Sequence, residues 1–160
     1  KLVTQDKDLE LSRSWTTRLR RSDEDPQAYK FVSRDDFLHH QDLGGFIEWN
    51  EFLGELYGTP APDSSVSHGI LLEIDVAGGK QIKENYSDAL LIFVDAPSVK
   101  EQRRRLIERG DSEERAEERI IEGERERTEA EVLGYLKVIN DDLDETVKII
   151  QEFIDDKRLI

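Results

Sequence analysis

The chain has 160 residues, 36% hydrophobic and 38% charged, with a formal net charge of -14 and a pI near 4.7. That is enough apolar material for one ordinary domain, and a surface field that repels nucleic acid and anionic membrane, so a bound anion must be drawn in by a local basic site. Cysteine is absent, which excludes a disulfide framework and thiolate metal ligation and fits a reducing, cytoplasmic setting; no apolar run reaches about 18 residues and no signal-peptide pattern opens the chain, so no membrane partner is expected.

Lys1 to Asp8 reads as the tail of a helix already under way, and with no methionine anywhere the chain reads as a fragment. Leu9-Glu10-Leu11 starts a short strand. It leads into S-R-S-W-T-T-R-L-R-R, Ser12 to Arg21, which holds four arginines in ten residues. Tyr29 to Val32 is rich in strand formers, and Ser33 predicts an N-cap for a helix over Arg34–Gln41. Residues 44–60 predict two short aromatic strands punctuated by glycines, so 15–60 reads as a small mixed-β unit. The turn-rich stretch 61–69 reads as a linker.

Beyond it the composition changes. Ile70–Val76, Ala89–Asp95 and Leu136–Asn140 are near-continuous apolar runs separated by helical patterns, which predicts strands of a parallel sheet buried on both faces. Each run ends in a polar residue, Asp75, Asp95 or Asn140-Asp141, at the carboxyl edge where open α/β sheets bind ligands. Ser98 predicts the cap of a helix to about Glu108, which Gly110 breaks, and Asp111 or Ser112 caps a second through 113–131. With nine basic and twelve acidic side chains, 99–131 reads as a solvated, ion-paired helical hairpin. Asp141–Lys157 closes the chain as an amphipathic helix with Leu143, Val147, Ile150 and Ile154 on its apolar face.

Three constellations carry chemistry. Arg18 and Arg21, with the Ser14 and Tyr29 hydroxyls, could present guanidinium forks to one dianion; the plainer reading is a solvated basic loop paired with Asp23, Glu24 and Asp25. In F-I-E-W, Glu48 could accept two N–H bonds from a guanine edge while the Thr59 hydroxyl meets O6; the plainer alternative makes Phe46 and Trp49 core and Glu48 an exposed ion-pair partner. Arg105, Arg109 and Arg119 could neutralise a transferring phosphoryl group, or form i,i±4 pairs, Arg105 with Glu101 and Arg109 with Glu113. No carboxylate-rich spacing surrounds His39, His40 or His68, and no metal site is expected among the side chains.

Six ordered blocks give a resemblance: S-x-S-W-T-T-R-x-x-R-x-x-E (12–24), Y-x-F-V-S (29–33), F-I-E-W-x-x-F-x-G-x-x-Y-G-T (46–59), L-L-E-I-D-V-x-G (71–78), P-S-x-x-x-x-x-x-R-L-x-x-R-G (97–110) and V-I-N-D-D-L-D (138–144). Together they resemble guanylate kinase over nearly the whole chain. The resemblance implies an α/β fold: a parallel-sheet P-loop kinase core (1–14 and 70–160), a small mixed-β GMP-binding subdomain (15–60), and a helical lid (about 105–131). It implies that Ser14, Arg18, Arg21, Tyr29 and Tyr57 hold the GMP phosphate with Glu24 in support, and that Glu48, Thr59 and Asp75 read the guanine. Arg105, Arg109 and Arg119 would clamp the phosphoryl group and Asn140 would touch adenine. ATP would be the donor, with Mg²⁺ bridging its phosphates, in an in-line transfer.

The chain departs from the family pattern in four ways. No G-x-x-x-x-G-K-[ST] occurs in the 160 residues; in the family that loop and the first strand precede Lys1, so the expectation is a chain that binds GMP better than it phosphorylates it. Ala77 stands where the family commonly has Gln, Ala96 replaces the first of a usual proline pair, and the 61–69 linker is short. A non-catalytic relative that binds phosphopeptides through the same phosphate site is the competing reading. Monomer and homodimer are both left open.

Overall fold

Short polar side chains set where the helices start. The structure, a computed structural model, describes residues 1–22, 24–62 and 68–159. In chain order its elements are α1 (Leu2–Gln5), β1 (Leu9–Leu11), β2 (Trp15–Thr16), β3 (Lys30–Phe31), α2 (Arg34–Asp42), β4 (Phe46–Phe52), β5 (Glu55–Pro60), β6 (Gly69–Leu71), α3 (Val76–Asn85), β7 (Ile92–Asp95), α4 (Val99–Glu108), α5 (Glu113–Val132), β8 (Leu136–Ile139) and α6 (Leu143–Arg158). Ser33, Ser98 and Ser112 each accept a backbone N–H three residues on, at the starts of α2, α4 and α5, and Asp142 accepts two at the start of α6. Each cap satisfies donors that the first helical turn leaves without a partner.

The chain divides into two compact units, Lys1–Ser87 and Asp88–Ile160. In the first, β1 and β6 form a parallel pair, and β3-β2-β5-β4 form a mixed four-stranded sheet. All four strands of that sheet lie between Trp15 and Pro60. Within it β2 runs parallel to β3, and β5 runs antiparallel to both β2 and β4. Leu53 and Gly54, both at positive φ (50° and 82°), join β4 to β5; a two-residue turn of that hand matches the twist of the strands it connects. Phe37 from α2 and Leu56 from β5 are fully buried, and α3 adds Val76 and Ile82 to the apolar interior.

In the second unit β7 and β8 pair in parallel from Ile92↔Leu136 to Asp95↔Ile139. Leu106 of α4 packs with Ala116 and Ile120 of α5, and Ala130, Val138, Val147 and Ile150 are buried as well. At the end of β7, Asp95 accepts two hydrogen bonds from Arg127 (2.7 and 3.0 Å) and lies 3.2 Å from the Lys137 ammonium.

The apolar runs behave differently from the expectation drawn from composition. Ile70–Val76 is strand only as far as Leu71, because Asp75 caps α3 and Val76 is already helical. Ala89–Asp95 is strand only from Ile92. Nor are these strands buried on both faces: Val94 is 47% and Ile139 45% exposed. Among the described residues each parallel ladder has only two strands. The linker expected at 61–69 falls partly outside the described residues, as does Asp23.

Candidate functional site

The arginine cluster is organised by one carboxylate. The forked end of the Arg18 guanidinium donates to Glu24 at 3.0 and 2.7 Å, and the Arg21 backbone N–H donates to the same carboxylate at 3.2 Å. Both side chains of the Arg18–Glu24 pair are nearly buried, at 11% and 15% exposure. The pairing raises the Arg18 pKa and lowers that of Glu24, as expected for a charge-assisted bidentate bond. The Arg18 guanidinium lies 5.6 Å from the Tyr29 ring centroid, and the Tyr29 ring lies 6.2 Å from that of Tyr57. Burial, together with the neighbouring Tyr57 and Glu73, pushes the Tyr29 hydroxyl pKa up, so Tyr29 stays a neutral donor at physiological pH. The other two arginines of the cluster do structural work: Arg13 donates to the Pro26 and Tyr29 carbonyls, and Arg20 to the Glu24 carbonyl.

A polar cluster is built on β4, β5 and α3. Glu48 pairs directly with Thr59 across the β4–β5 ladder, next to an irregularity between Phe46 and Glu48; such a bulge re-aims the side chain that follows it. Glu48 is 4% exposed and Thr59 fully buried. The Ser14 and Thr59 hydroxyls are 3.3 Å apart. Burial raises the pKa of Glu48, hydrogen bonds from Thr59 oppose that, and the Asp75 charge adds to it. Asp75 accepts from the Gly78 N–H at 2.7 Å, as the N-cap of α3, and from the Asn50 amide at 2.8 Å. Gly78 permits this packing, since a Cβ there would lie 2.4 Å from a Glu48 carboxylate oxygen. Among the described residues Glu48 has no cationic partner, so the plain reading of it as an exposed ion-pair residue does not hold. A buried carboxylate with so little compensation is costly unless a ligand supplies donors.

In the second unit the candidate arginines are anchored on carboxylates. Arg105 donates to Glu101 at 2.7 Å and to the Asn140 backbone carbonyl at 2.8 Å. Arg109 donates to Asp111 at 2.8 Å, with the Arg119 guanidinium 3.8 Å from the other oxygen of that carboxylate. Asp111 therefore gathers Arg109 and Arg119, and Arg105 is engaged elsewhere. The expected Arg105–Glu101 pair is present. Arg109 pairs with Asp111 rather than Glu113, which goes to Arg103, because Arg109 is the C-cap of α4 and its side chain turns into the following loop. Arg104 and Arg105 together hold the Glu101 pKa at about 2. The Asn140 side-chain oxygen accepts from Thr146 at 3.3 Å.

Comparison with known proteins decides the family. The profile described as guanylate kinase matches residues 2–157. The chain belongs to the guanylate kinase family. Guanylate kinase from Thermus thermophilus is 43% identical over 140 residues, covering 84% of this chain and 63% of its own. Guanylate kinase from Prochlorococcus marinus is 36% identical over 159 residues, covering 96% and 86%. The crystal structure of guanylate kinase from Anaplasma phagocytophilum aligns with a TM-score of 0.81 at 28% identity, over 99% of this chain and 79% of that one; the α/β fold is thus that of the guanylate kinases. The chain spans less than two thirds of the Thermus relative's length.

Some residues that shape the candidate site were not singled out from sequence. The Gln81 side chain of α3 bonds both backbone groups of Trp49, accepting at 3.3 Å and donating at 2.8 Å, and so ties α3 to β4. Asn50 and Gly78 act through contacts between elements far apart in sequence, and Asp111 through Arg109 and Arg119 on either side of its loop. Only the alternation of Glu48 and Asn50 on one face of β4 could have pointed to Asn50.

Proposed function

We propose that the chain binds GMP in its first unit and that, with ATP as donor, the reaction it serves is phosphorylation of GMP to GDP. The carrying observation is Glu48, a buried carboxylate without a cation, set beside the Thr59 hydroxyl. Guanine offers an N1–H and an exocyclic N2 amine, the donors that a carboxylate can take in pairs; adenine has an acceptor at N1 and no N2 amine. Adenine would leave the carboxylate buried and unsatisfied, which makes such a site strongly selective. Thr59 would meet guanine O6, and Asp75 would supply a further acceptor.

The phosphate of GMP would lie against Ser14, Arg18, Arg21, Tyr29 and Tyr57. Glu24 takes the end of the Arg18 fork and the Leu19 carbonyl takes the remaining Nη1 hydrogen, so the edge formed by Nε and Nη2 is the one suited to a phosphate. Glu24 acts by orientation. For the transfer step, Arg105, Arg109 and Arg119 would neutralise charge on the phosphoryl group, and Asn140 would contact adenine; Asp111 keeps two of these arginines in place. Among the described residues no group of three carboxylates or histidines could hold a metal. Mg²⁺ would come with ATP and offset the charge of its phosphates.

Calorimetric titration tests the reading. GMP is expected to bind at one site, with AMP at least about 100-fold weaker because the carboxylate then stays unpaired. Equal binding of AMP, or no GMP binding, would overturn the proposal. A phosphoserine peptide that displaces GMP at lower concentration than GMP itself binds would favour the phosphopeptide-binding reading instead.

A further inference from the structure

Asn50 stands two residues after Glu48 on β4, so the two side chains leave the same face of the strand. Its amide nitrogen donates to Asp75 Oδ2 at 2.8 Å, while Asp75 Oδ1 accepts the Gly78 N–H at 2.7 Å. Gly78 in turn lies so close to Glu48 that a Cβ would come within 2.4 Å of that carboxylate. Two carboxylates are thus held near one another across a glycine. Among the described residues neither has a cationic partner, and the Asp75 charge disfavours that of Glu48. The cap bond secures only one oxygen of Asp75. The second is held by Asn50, and because a carboxylate can only accept, the bond also fixes which end of the Asn50 amide faces it.

We propose that Asn50 is a positioning residue for base selection: it holds Asp75 Oδ2 where the 2-amino group of a 6-oxopurine requires an acceptor. The inference rests on the guanine site proposed above. Guanine presents three N–H bonds on this edge, one at N1 and two at N2. Glu48 takes the N1–H and one N2–H, and the remaining N2–H needs a second acceptor. Asp75 meets that need only while its free oxygen is held against the repulsion of Glu48. Asn50 touches no substrate atom in this arrangement; it acts through Asp75, and its loss is felt only by a base that carries the 2-amine.

The test compares GMP with IMP, which lacks that amine, by calorimetry on the unaltered chain and on Asn50→Leu, Asn50→Ser, Asp75→Asn and the Asn50→Leu/Asp75→Asn double variant. Leucine keeps the branching at Cγ and removes the donor; serine keeps a donor and carries the same test if leucine disturbs folding. Asparagine at position 75 remains a competent N-cap. In Asn50→Leu the GMP affinity is expected to fall about tenfold while IMP affinity is unchanged, since a charge-assisted hydrogen bond no longer supports the acceptor. Asn50→Ser should recover part of the difference, and the double variant should discriminate no worse than Asp75→Asn alone. A loss of packing would instead weaken both nucleotides together, and that result, or an unchanged GMP-to-IMP ratio in both Asn50 variants, would overturn the role of Asn50 and leave the guanine site standing. Equal binding of GMP and IMP by the unaltered chain would overturn both.

Discussion

The two units treat charge in opposite ways. In the first, Glu48 is almost fully buried with hydroxyls, a glycine and another carboxylate around it, and its pKa is raised. In the second, the arginines of α4 and α5 are met by carboxylates, several of these pairs, such as Arg104–Glu108 and Arg103–Glu113, are exposed, and the pKa of Glu101 is driven down to about 2. Exposed pairs of that kind contribute little to stability because water and salt already screen them. A buried carboxylate without a cation costs stability, and a protein that keeps one has a use for it. Charge density alone points to the helical hairpin as the functional region. Desolvation points to the sheet.

The largest expected effect breaks the first unit's side of this contrast. Glu48→Gln should weaken GMP binding by about 100-fold or more, because an amide cannot accept both guanine donors, while the melting temperature holds or rises as the desolvation cost is removed. A variant that loses GMP binding and stability together would make Glu48 a structural residue. An enclosed ion pair of the second unit comes next. Asp95 is 8% exposed and holds Arg127 and Lys137, so Arg127→Ala should destabilise that unit by about 2 kcal/mol, tempered by the partial exposure of Arg127 and the remaining lysine. Denaturant unfolding of the variant measures it.

Acid titration sharpens the contrast further. The Glu48 pKa lies above its ordinary value of 4.5, so the folded state holds the proton more tightly, and the cost of this residue appears as pH rises through the interval above 4.5. Glu24 lies below 4.5, so its pairing with Arg18 stabilises the fold above that pH and is lost as pH falls through the lowered value. Melting temperatures of Glu48→Gln and Glu24→Gln, each referred to the unaltered chain, should therefore move apart with opposite signs as pH rises from 4 towards 7. Parallel curves would show that the two carboxylates do not differ in this way. The smallest effect belongs to Arg104, which bonds Glu101 and Glu108 on an open helix surface: Arg104→Ala should leave the melting temperature unchanged within error. A clear drop would mean that the hairpin depends on its surface ion pairs.

What was legible in the sequence was mostly local. Ser33, Ser98 and Ser112 announced their helices because a cap is a bond between residues three apart. Glu48 and Thr59 were readable as a pair from the F-I-E-W and Y-G-T blocks, but not the bulge that aims Glu48, since a bulge exists only relative to the partner strand. Asp75 was read as the polar end of a strand; it proved to be an N-cap that also receives Asn50, and the apolar run 70–76 gave no sign of the change from strand to helix. Arg109 was matched to the wrong carboxylate because i,i+4 spacing assumes a helix that continues, whereas α4 ends at Glu108.

By itself the sequence determined the α/β class, the helix starts, the guanylate kinase blocks and a set of candidate site residues, because hydrophobic period, capping and chemical type are carried within short windows. Only the tertiary structure decided that Glu48 is buried without a cation, that Glu24 holds Arg18, that Gly78 lets α3 approach, and that Asn50 orients Asp75. Burial and pKa depend on what other segments place around a side chain, and no window along the chain contains those neighbours.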